Sequence, residues 1–324
     1  MHRALFWFNL IFIVLIPLQS TAFDETNTIS INQIAKIHSA RIQQLNPGKA
    51  GILKNNNLSF SFETHKDQVT FNGTKLFLSK PVDYKKNQFF INKKDYLFTL
   101  CPLLNTKPHA GVKHSVQRIV IDPGHGGRDK GTQNTKLGID EKSLTLDVAI
   151  RLKRHLEASG FAVQLTRARD EYVELKERCR LSNNYKADLF ISIHFNATAS
   201  NTATVRGIES YILPLANQPA TGKQMNQPSK EYFSCEGNRN DAQNIRLAYY
   251  IQTALHKNLQ TTDRGIKRAR FAVLKDLKCP GILIECGFLT HPAESNLIHT
   301  AAYRNKLAEA IASGILEYHN FNLK

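Results

Sequence analysis

The fold class that the sequence predicts is an α/β sandwich on a central sheet, preceded by a small β-rich module. Three observations carry it. From about residue 117 onward, short β-branched runs alternate with amphipathic helical stretches, the order of a chain that layers helices on a sheet. Before that point the apolar residues recur at strand period between Asn/Lys-rich turns. The composition, 42% hydrophobic and 22% charged over 324 residues, is that of a globular chain long enough for one large domain or two ordinary ones.

The first residues read as an export signal. Met1, His2 and Arg3 make a positive start, residues 4–16 are apolar apart from Asn9, and Ser20, Thr21 and Ala22 precede a cleavage point after about Ala22. That apolar run is about 13 residues, short of the roughly 20 needed to span a bilayer, so no stable transmembrane anchor is expected. The expected location is therefore periplasmic or secreted.

Residues 23–112 form the small β-rich module. Strand signals are 58–62 (LSFSF), 69–71, 76–78 and 88–91, with Asn72-Gly73 as a hairpin turn and 96–104 as a short helix. Residues 105–115 (NTKPHAGVKHS) read as a linker. The second part, 113–324, opens with a strand at 118–121. A helix over 141–159 follows, with Leu144, Val148, Leu152 and Leu156 on one face and Gly160 closing it. Strands are expected at 162–165, 189–194 (LFISIH), 207–213 and 281–285 (GILIE), and helices at 174–185, 242–259 and 301–318. Residues 214–241, rich in Pro, Asn, Gln and Ser, read as a surface excursion.

Charge and cysteine content narrow the function classes. The 43 basic and 27 acidic residues leave +16, which predicts attraction to a polyanion. No zinc-finger spacing or other DNA-reading motif accompanies it, and export disfavours nucleic acid as the partner. Without the signal the charge divides unevenly. Residues 23–116 hold 13 basic and 6 acidic side chains over 94 residues, against 29 and 21 over 208 in the remainder. The N-terminal module is thus about twice as charge-dense, which points to a surface that grips an anionic envelope, or else to solvated turn lysines. Cys101, Cys179, Cys235, Cys279 and Cys286 are odd in number and contain no CxxC, so most are expected to be buried small hydrophobes.

Four polar positions fall at strand ends or helix starts, where open α/β sheets place their sites. His125 lies in a Gly-rich turn after the first strand, Glu141 opens the next helix, His194 ends LFISIH, and Glu285 ends GILIE. Two imidazoles and a carboxylate make a donor set suited to Zn²⁺, and a further carboxylate nearby would take a proton from water. Spacing alone leaves plainer roles open. A His after a Gly-rich turn also caps or packs, a strand-end Glu also forms salt bridges, and no HExxH is present.

The string IVIDPGHGGRDKG, then Glu141-Lys142, LTRARD, DLFISIHFNA, RGIESYIL and ECGFLTHPAE, in that order, resembles the zinc-dependent N-acetylmuramoyl-L-alanine amidases of the amidase-3 family. The resemblance runs from about Arg118 to Phe321. It implies a central, mostly parallel sheet flanked by helices. It also implies His125, Glu141 and His194 as zinc ligands and Glu285 as the catalytic carboxylate. The reaction implied is hydrolysis of the amide joining N-acetylmuramic acid to L-alanine of the peptidoglycan stem, in cell-wall remodelling or septum splitting, in some relatives under a protein activator. Residues 23–112 resemble the small β-rich modules, including the copper-amine-oxidase N-terminal-like type, that precede catalytic domains in cell-wall enzymes; no copper is implied.

Beside these, Asn196 and Arg167 read as supporting or packing residues, and Asp129 as either orienting the His125 loop or a simple turn aspartate. Phe195 stands where many relatives carry a small residue and is expected to reshape the cleft wall. His291 replaces a common Asn and is expected to sit where the next helix begins. Glu231 and Glu236 are within reach of the metal in principle, but an open or loosely gated site is expected. Two rival readings remain: a cysteine-nucleophile amidase using Cys286, and a wall-binding protein with no catalysis. A penicillin-type serine enzyme is disfavoured by the absence of SxxK.

Overall fold

The structure is a computed structural model that describes residues 25–105, 115–223 and 232–323. The expected export signal at residues 1–22 and most of the expected linker lie outside the described residues. Among the described residues no helix is long and apolar enough to cross a membrane.

The N-terminal part runs β1 (Thr28–Ser30), α1 (Ile31–Ile37), β2 (Arg41–Asn46), β3 (Ala50–Asn55), β4 (Leu58–Glu63), β5 (Gln68–Phe71), β6 (Thr74–Phe77), β7 (Asp83–Lys85) and β8 (Gln88–Asn92). A helical stretch closes it: α2 (Lys93–Asp95), a π-helical turn (Tyr96–Leu100) and α3 (Cys101–Leu104). α1 starts at a capping box, in which Ser30 accepts from the Gln33 amide and the Gln33 side chain reaches back to Ser30. The β5–β6 hairpin turns at Asn72-Gly73, both at positive φ, as the sequence predicts. β1, α1, β2, β3 and β7 are the described elements of this part that the sequence reading left out. β2 (RIQQLN) is an exposed edge strand whose polar side chains hide its period.

The second part runs β9 (Arg118–Pro123), β10 (Gln133–Asn134), β11 (Ile139–Asp140), α4 (Glu141–Ala158), β12 (Ala162–Leu165), α5 (Leu175–Tyr185), β13 (Leu189–Asn196), β14 (Ile208–Ile212), α6 (Asp241–Leu259), β15 (Asp263–Arg268), α7 (Ala272–Lys275), β16 (Gly281–Phe288), α8 (Pro292–His299) and α9 (Ala301–Leu323). Leu144, Val148, Leu152 and Leu156 of α4 are all buried, each contributing about 1.5–3 kcal/mol of apolar burial. α4 stops where Gly160 takes φ +89 and the Phe161 amide caps Leu156. β15 (DRGIKR) escaped the sequence reading because its charged residues mask a strand.

The sheet has eleven strands in the order β12-β9-β13-β16-β14-β15-β6-β5-β4-β3-β2. From β12 to β15 all pairs are parallel except β16 with β14, and β6 to β2 form an antiparallel meander. The N-terminal strands thus join the same sheet, through Ile266 on β15 opposite Leu76 on β6. One apolar core runs beneath both parts, from Phe60, Phe71 and Leu76 to Ile251, Ile266 and Ile315. Polar contacts reinforce the join. Thr74 and Thr253 hydroxyls lie 2.6 Å apart, and the Arg246 and Arg268 guanidinium groups donate to Pro102 O and Thr99 Oγ1 at 2.6 and 2.9 Å. β1, β7 and β8 form a separate three-stranded sheet, with Phe89 packed edge-on to Phe62 of the main core.

Candidate metal centre

Parallel strand order places the carboxyl ends of β9, β13 and β16 side by side, so the loop after β9, the end of β13 and the end of β16 converge. The loop after β9 must bend sharply. His125 itself sits at φ +61, and Gly126 and Gly127 take φ +126 and +56. A Cβ on Gly126 would lie 2.2 Å from Glu171 O. A Cβ on Gly124 would lie 2.3 Å from the His194 ring. The sequence DPGHGG is therefore set by close approach as well as by the turn.

His125, Glu141 and His194 meet there, with donor atoms all within 4.8 Å of one another. Glu141 is 3% exposed, and its Oε1 lies 3.1 Å from both His125 Nε2 and His194 Nδ1. The same oxygen accepts from the Phe195 amide, and Oε2 accepts from the Thr132 amide. Burial alone would raise the pKa of this carboxyl. The two imidazoles outweigh burial and hold it far below the usual carboxylate range. Asp129 Oδ2 lies 2.9 Å from His125 Nδ1 while its Oδ1 accepts from the Gly131 amide. This is the orienting role: a proton on Nδ1 leaves the Nε2 lone pair facing Glu141 and His194. Two N donors and one carboxylate at this spacing fit a borderline-soft divalent ion such as Zn²⁺.

Two buried arginines hold the loop from behind. Arg167 donates to Pro123 O, Gly124 O and Lys142 O, joining the His125 loop to the start of α4. Arg178 donates to Pro123 O and His125 O and pairs with Asp122 at 2.8 Å, the two side chains 2% and 0% exposed. Arg167 is packing in the literal sense, and what it packs is the loop that carries His125. Arg178 and Asp122 were not singled out from the sequence. The signal was there: Arg178 shares a helix face with Leu175, Cys179 and Ser182, and a charge on a buried face needs a partner.

Glu285 stands directly opposite His194 in the parallel register of β13 and β16. It is half-buried as a residue, yet its Oε2 is enclosed and has no hydrogen-bond partner. Burial pushes its pKa well above the ordinary value, and the neighbouring Glu141 and Glu209 carboxylates push it further. All four residues line one cavity of about 520 Å³, together with Asn196, Thr132, Leu175, Phe271 and Val273. Glu209, one strand beyond Glu285, was also missed. Lys267 at 2.9 Å, Tyr211 OH and Arg264 neutralise it. An acid alternating with Tyr211 and Leu213 in a buried strand was its only sequence signal.

One expectation changes, that of Phe195, and others hold. The Phe195 side chain, 1% exposed, points into the core, so only its backbone meets the site. His291 caps α8, accepting from the Glu294 amide at 3.1 Å. Glu236 pairs with Arg239 at 3.0 Å and is absent from the cavity lining, while Glu231 lies outside the described residues. Cys286 is fully buried on the opposite face of β16 from Glu285, and burial pushes its thiol far up, which removes the cysteine-nucleophile reading. Of the five cysteines, Cys179, Cys279 and Cys286 are buried, and Cys101 and Cys235 are half-buried.

Comparison with known proteins agrees with this geometry. A sequence model described as N-acetylmuramoyl-L-alanine amidase matches residues 119–317. The N-acetylmuramoyl-L-alanine amidase LytC of Bacillus subtilis is 36% identical over 67% of the chain, which spans 39% of LytC. The sporulation-specific N-acetylmuramoyl-L-alanine amidase of the same organism is 34% identical (64% of the chain, 69% of the relative), and AmiA of Escherichia coli is 30% identical (66% and 80%). A crystal structure of such an amidase from Clostridium difficile 630 superposes with a TM-score of 0.52 at 34% identity, covering 64% of this chain and 98% of that one. The CwlD amidase from Clostridioides difficile, solved in complex with the GerS lipoprotein, gives 0.50 at 30% identity (62% and 98%).

Proposed function

The chain belongs to the N-acetylmuramoyl-L-alanine amidase family, and from that premise we propose that it hydrolyses the amide between the lactyl group of N-acetylmuramic acid and L-alanine of the peptidoglycan stem. The observation that carries this is the grouping of His125, Glu141 and His194 around one point, with the unpartnered Glu285 carboxylate lining the same cavity.

His125, Glu141 and His194 would hold Zn²⁺. When bound, zinc supplies Lewis acidity that polarises a carbonyl and acidifies water. Asp129 fixes the tautomer of His125, and the Phe195 and Thr132 amides fix the Glu141 carboxylate. Glu285 takes the proton from the attacking water as the C–O bond forms. It returns that proton to the alanine nitrogen as the C–N bond breaks, and with water's second proton also passing to that nitrogen the products are a lactyl carboxylate and an alanine ammonium. Leu175, Phe271 and Val273 give the cavity apolar lining beside the Glu285 carboxyl, which favours its proton.

The same reading places the protein at the periplasmic or outer cell wall, exported by residues 1–22, with wall remodelling or septum splitting as the setting. Residues 23–112 supply retention on the wall, and a protein activator is a further partner to seek. The test is mass spectrometry of purified peptidoglycan digested with and without a chelator, beside metal analysis of His125→Ala. Free stem peptides released only without chelator, and one zinc per chain lost in the variant, are expected. Products still joined between muramic acid and alanine would refute the assignment. One zinc per chain with no release would leave a wall-binding protein.

A further inference from the structure

We propose that the catalytic face of the sheet continues across the N-terminal strands as a binding ramp for the peptidoglycan strand. This rests on the amidase reading above and adds where its polymer lies. The register shows which side chains share that face. His194 stands opposite Glu285, Glu285 opposite Glu209, and Tyr211 opposite Lys267. On β6, Leu76 pairs with Ile266 on the core face, so Lys75 and Phe77 point to the catalytic side, and Lys267 Nζ lies 5.8 Å from the Phe77 ring. Thr70 faces Lys75, Ser61 faces Thr70, and the row continues through Ile52 on β3 and Gln43 on β2, with Lys54 and Arg41 on the same face two residues along those strands, opposite Ser59. The alternate residues, Phe60, Phe62, Val69, Phe71 and Leu76, are all buried in the core.

The ramp is open, and its cations Lys75, Lys54 and Arg41 outnumber Glu63, the acid exposed on the same face of β4. Thr70, Ser61, Lys75 and Phe77 are half-exposed, and Ser59, Gln68, Lys54 and Arg41 are exposed. Arg41 and Lys54 face each other across β2 and β3, a like-charge pair, with Lys54 Nζ donating to Gln43 Oε1 at 2.6 Å, so that a shared anion would relieve the repulsion. Four steps in the sheet order separate β16 from β5, roughly 20 Å at about 4.8 Å each, and the sheet twist turns the outer strands so that a bound chain would wind along them. Hydroxyl and amide side chains interspersed with cations suit a sugar polymer bearing carboxylates on its stems. The N-terminal strands share core and sheet with the catalytic part, so the ramp is held in fixed relation to the cavity.

The test uses the full mature chain in a Glu285→Gln background, pelleted with purified peptidoglycan from which phosphate polymers have been stripped. Lys75→Glu, Lys54→Glu and Arg41→Glu together should weaken binding at least about tenfold at low salt. A matched set on the other side of the N-terminal part, Lys36→Glu, Lys80→Glu and Lys93→Glu, changes net charge equally and should weaken it far less. Equal loss in both sets would return the effect to net charge and overturn the ramp, as would no loss in either. Binding that vanishes once phosphate polymers are stripped would also overturn it. Hydrolysis by the parent enzyme is measured separately: its absence would sink the amidase reading, while the pelleting difference would still decide the ramp.

Discussion

One methyl group at Gly124 should disable the metal centre without unfolding the protein. The backbone of Gly124 is not at positive φ, so alanine meets no conformational penalty of that kind. The added Cβ would instead fall 2.3 Å from His194 Cε1, 2.5 Å from Nε2 and 2.7 Å from Nδ1. Ordinary van der Waals contact begins at 3.4 Å, so the ring must retreat by about 1 Å or rotate away. Metal–ligand distances tolerate only about 0.2 Å, so the retreat costs one ligand of three. We expect zinc affinity to fall at least about 100-fold, or roughly 2.7 kcal/mol. The assay is competition against a chromophoric chelator, with urea unfolding of the metal-free protein in parallel. Stability of the metal-free form should change by less than about 1 kcal/mol, because the clash is with a side chain at the edge of a cavity. Wild-type zinc affinity in Gly124→Ala would refute the placement of His194 against the loop.

Other perturbations test other parts. Arg178→Met leaves the buried Asp122 carboxylate without its cation and removes the Arg178 donor from His125 O, while Pro123 O keeps Arg167, so urea melts should show a loss of about 3–5 kcal/mol; a loss below about 1 kcal/mol would show that the pair does not brace the loop. Glu285→Gln should keep its zinc but lose about 10²- to 10⁴-fold in the rate of stem release, and an unchanged rate would take the residue out of the chemistry. Iodoacetamide should leave the rate unchanged, since Cys286 is sealed in the core; inactivation reversed by Cys286→Ala would restore the thiol reading. Burial raises the Asp241 pKa from 3.8 to about 6, with Arg268 and Asn238 pulling the other way. Its raised folded-state pKa contributes stability below pH 3.8 that is lost as pH rises through about 6, a swing of roughly 3 kcal/mol. Asp241→Asn should flatten that part of the stability–pH curve, and a curve identical to the parent's would refute the attribution.

The legible parts of the chain were those whose signal is short in range. The α4 face of Leu144, Val148, Leu152 and Leu156, the Gly160 stop and the Asn72-Gly73 hairpin each occupy a few residues, and each reads correctly. Elements whose side chains answer to distant partners did not. β15 looks like a charged loop because Arg264 and Lys267 are there to meet Glu209, and β2 looks like a loop because it is an edge strand whose partner covers only its backbone. Arg167 read as a packing residue and Arg178 carried no reading, because the carbonyls they hold lie more than forty residues away in the chain.

By itself the sequence determined the alternation of strands and helices, the buried faces and the donor types offered by His125, Glu141, His194 and Glu285, because hydrophobic period, turn chemistry and donor type are local properties. Only the tertiary structure decided that these four, spread over 160 residues, share one cavity, and that Cys286, beside Glu285 in the chain, does not. Only it decided that the N-terminal strands extend the catalytic sheet. Strand order and register are set by contacts between segments far apart in the chain, and a side chain's face follows from that register alone.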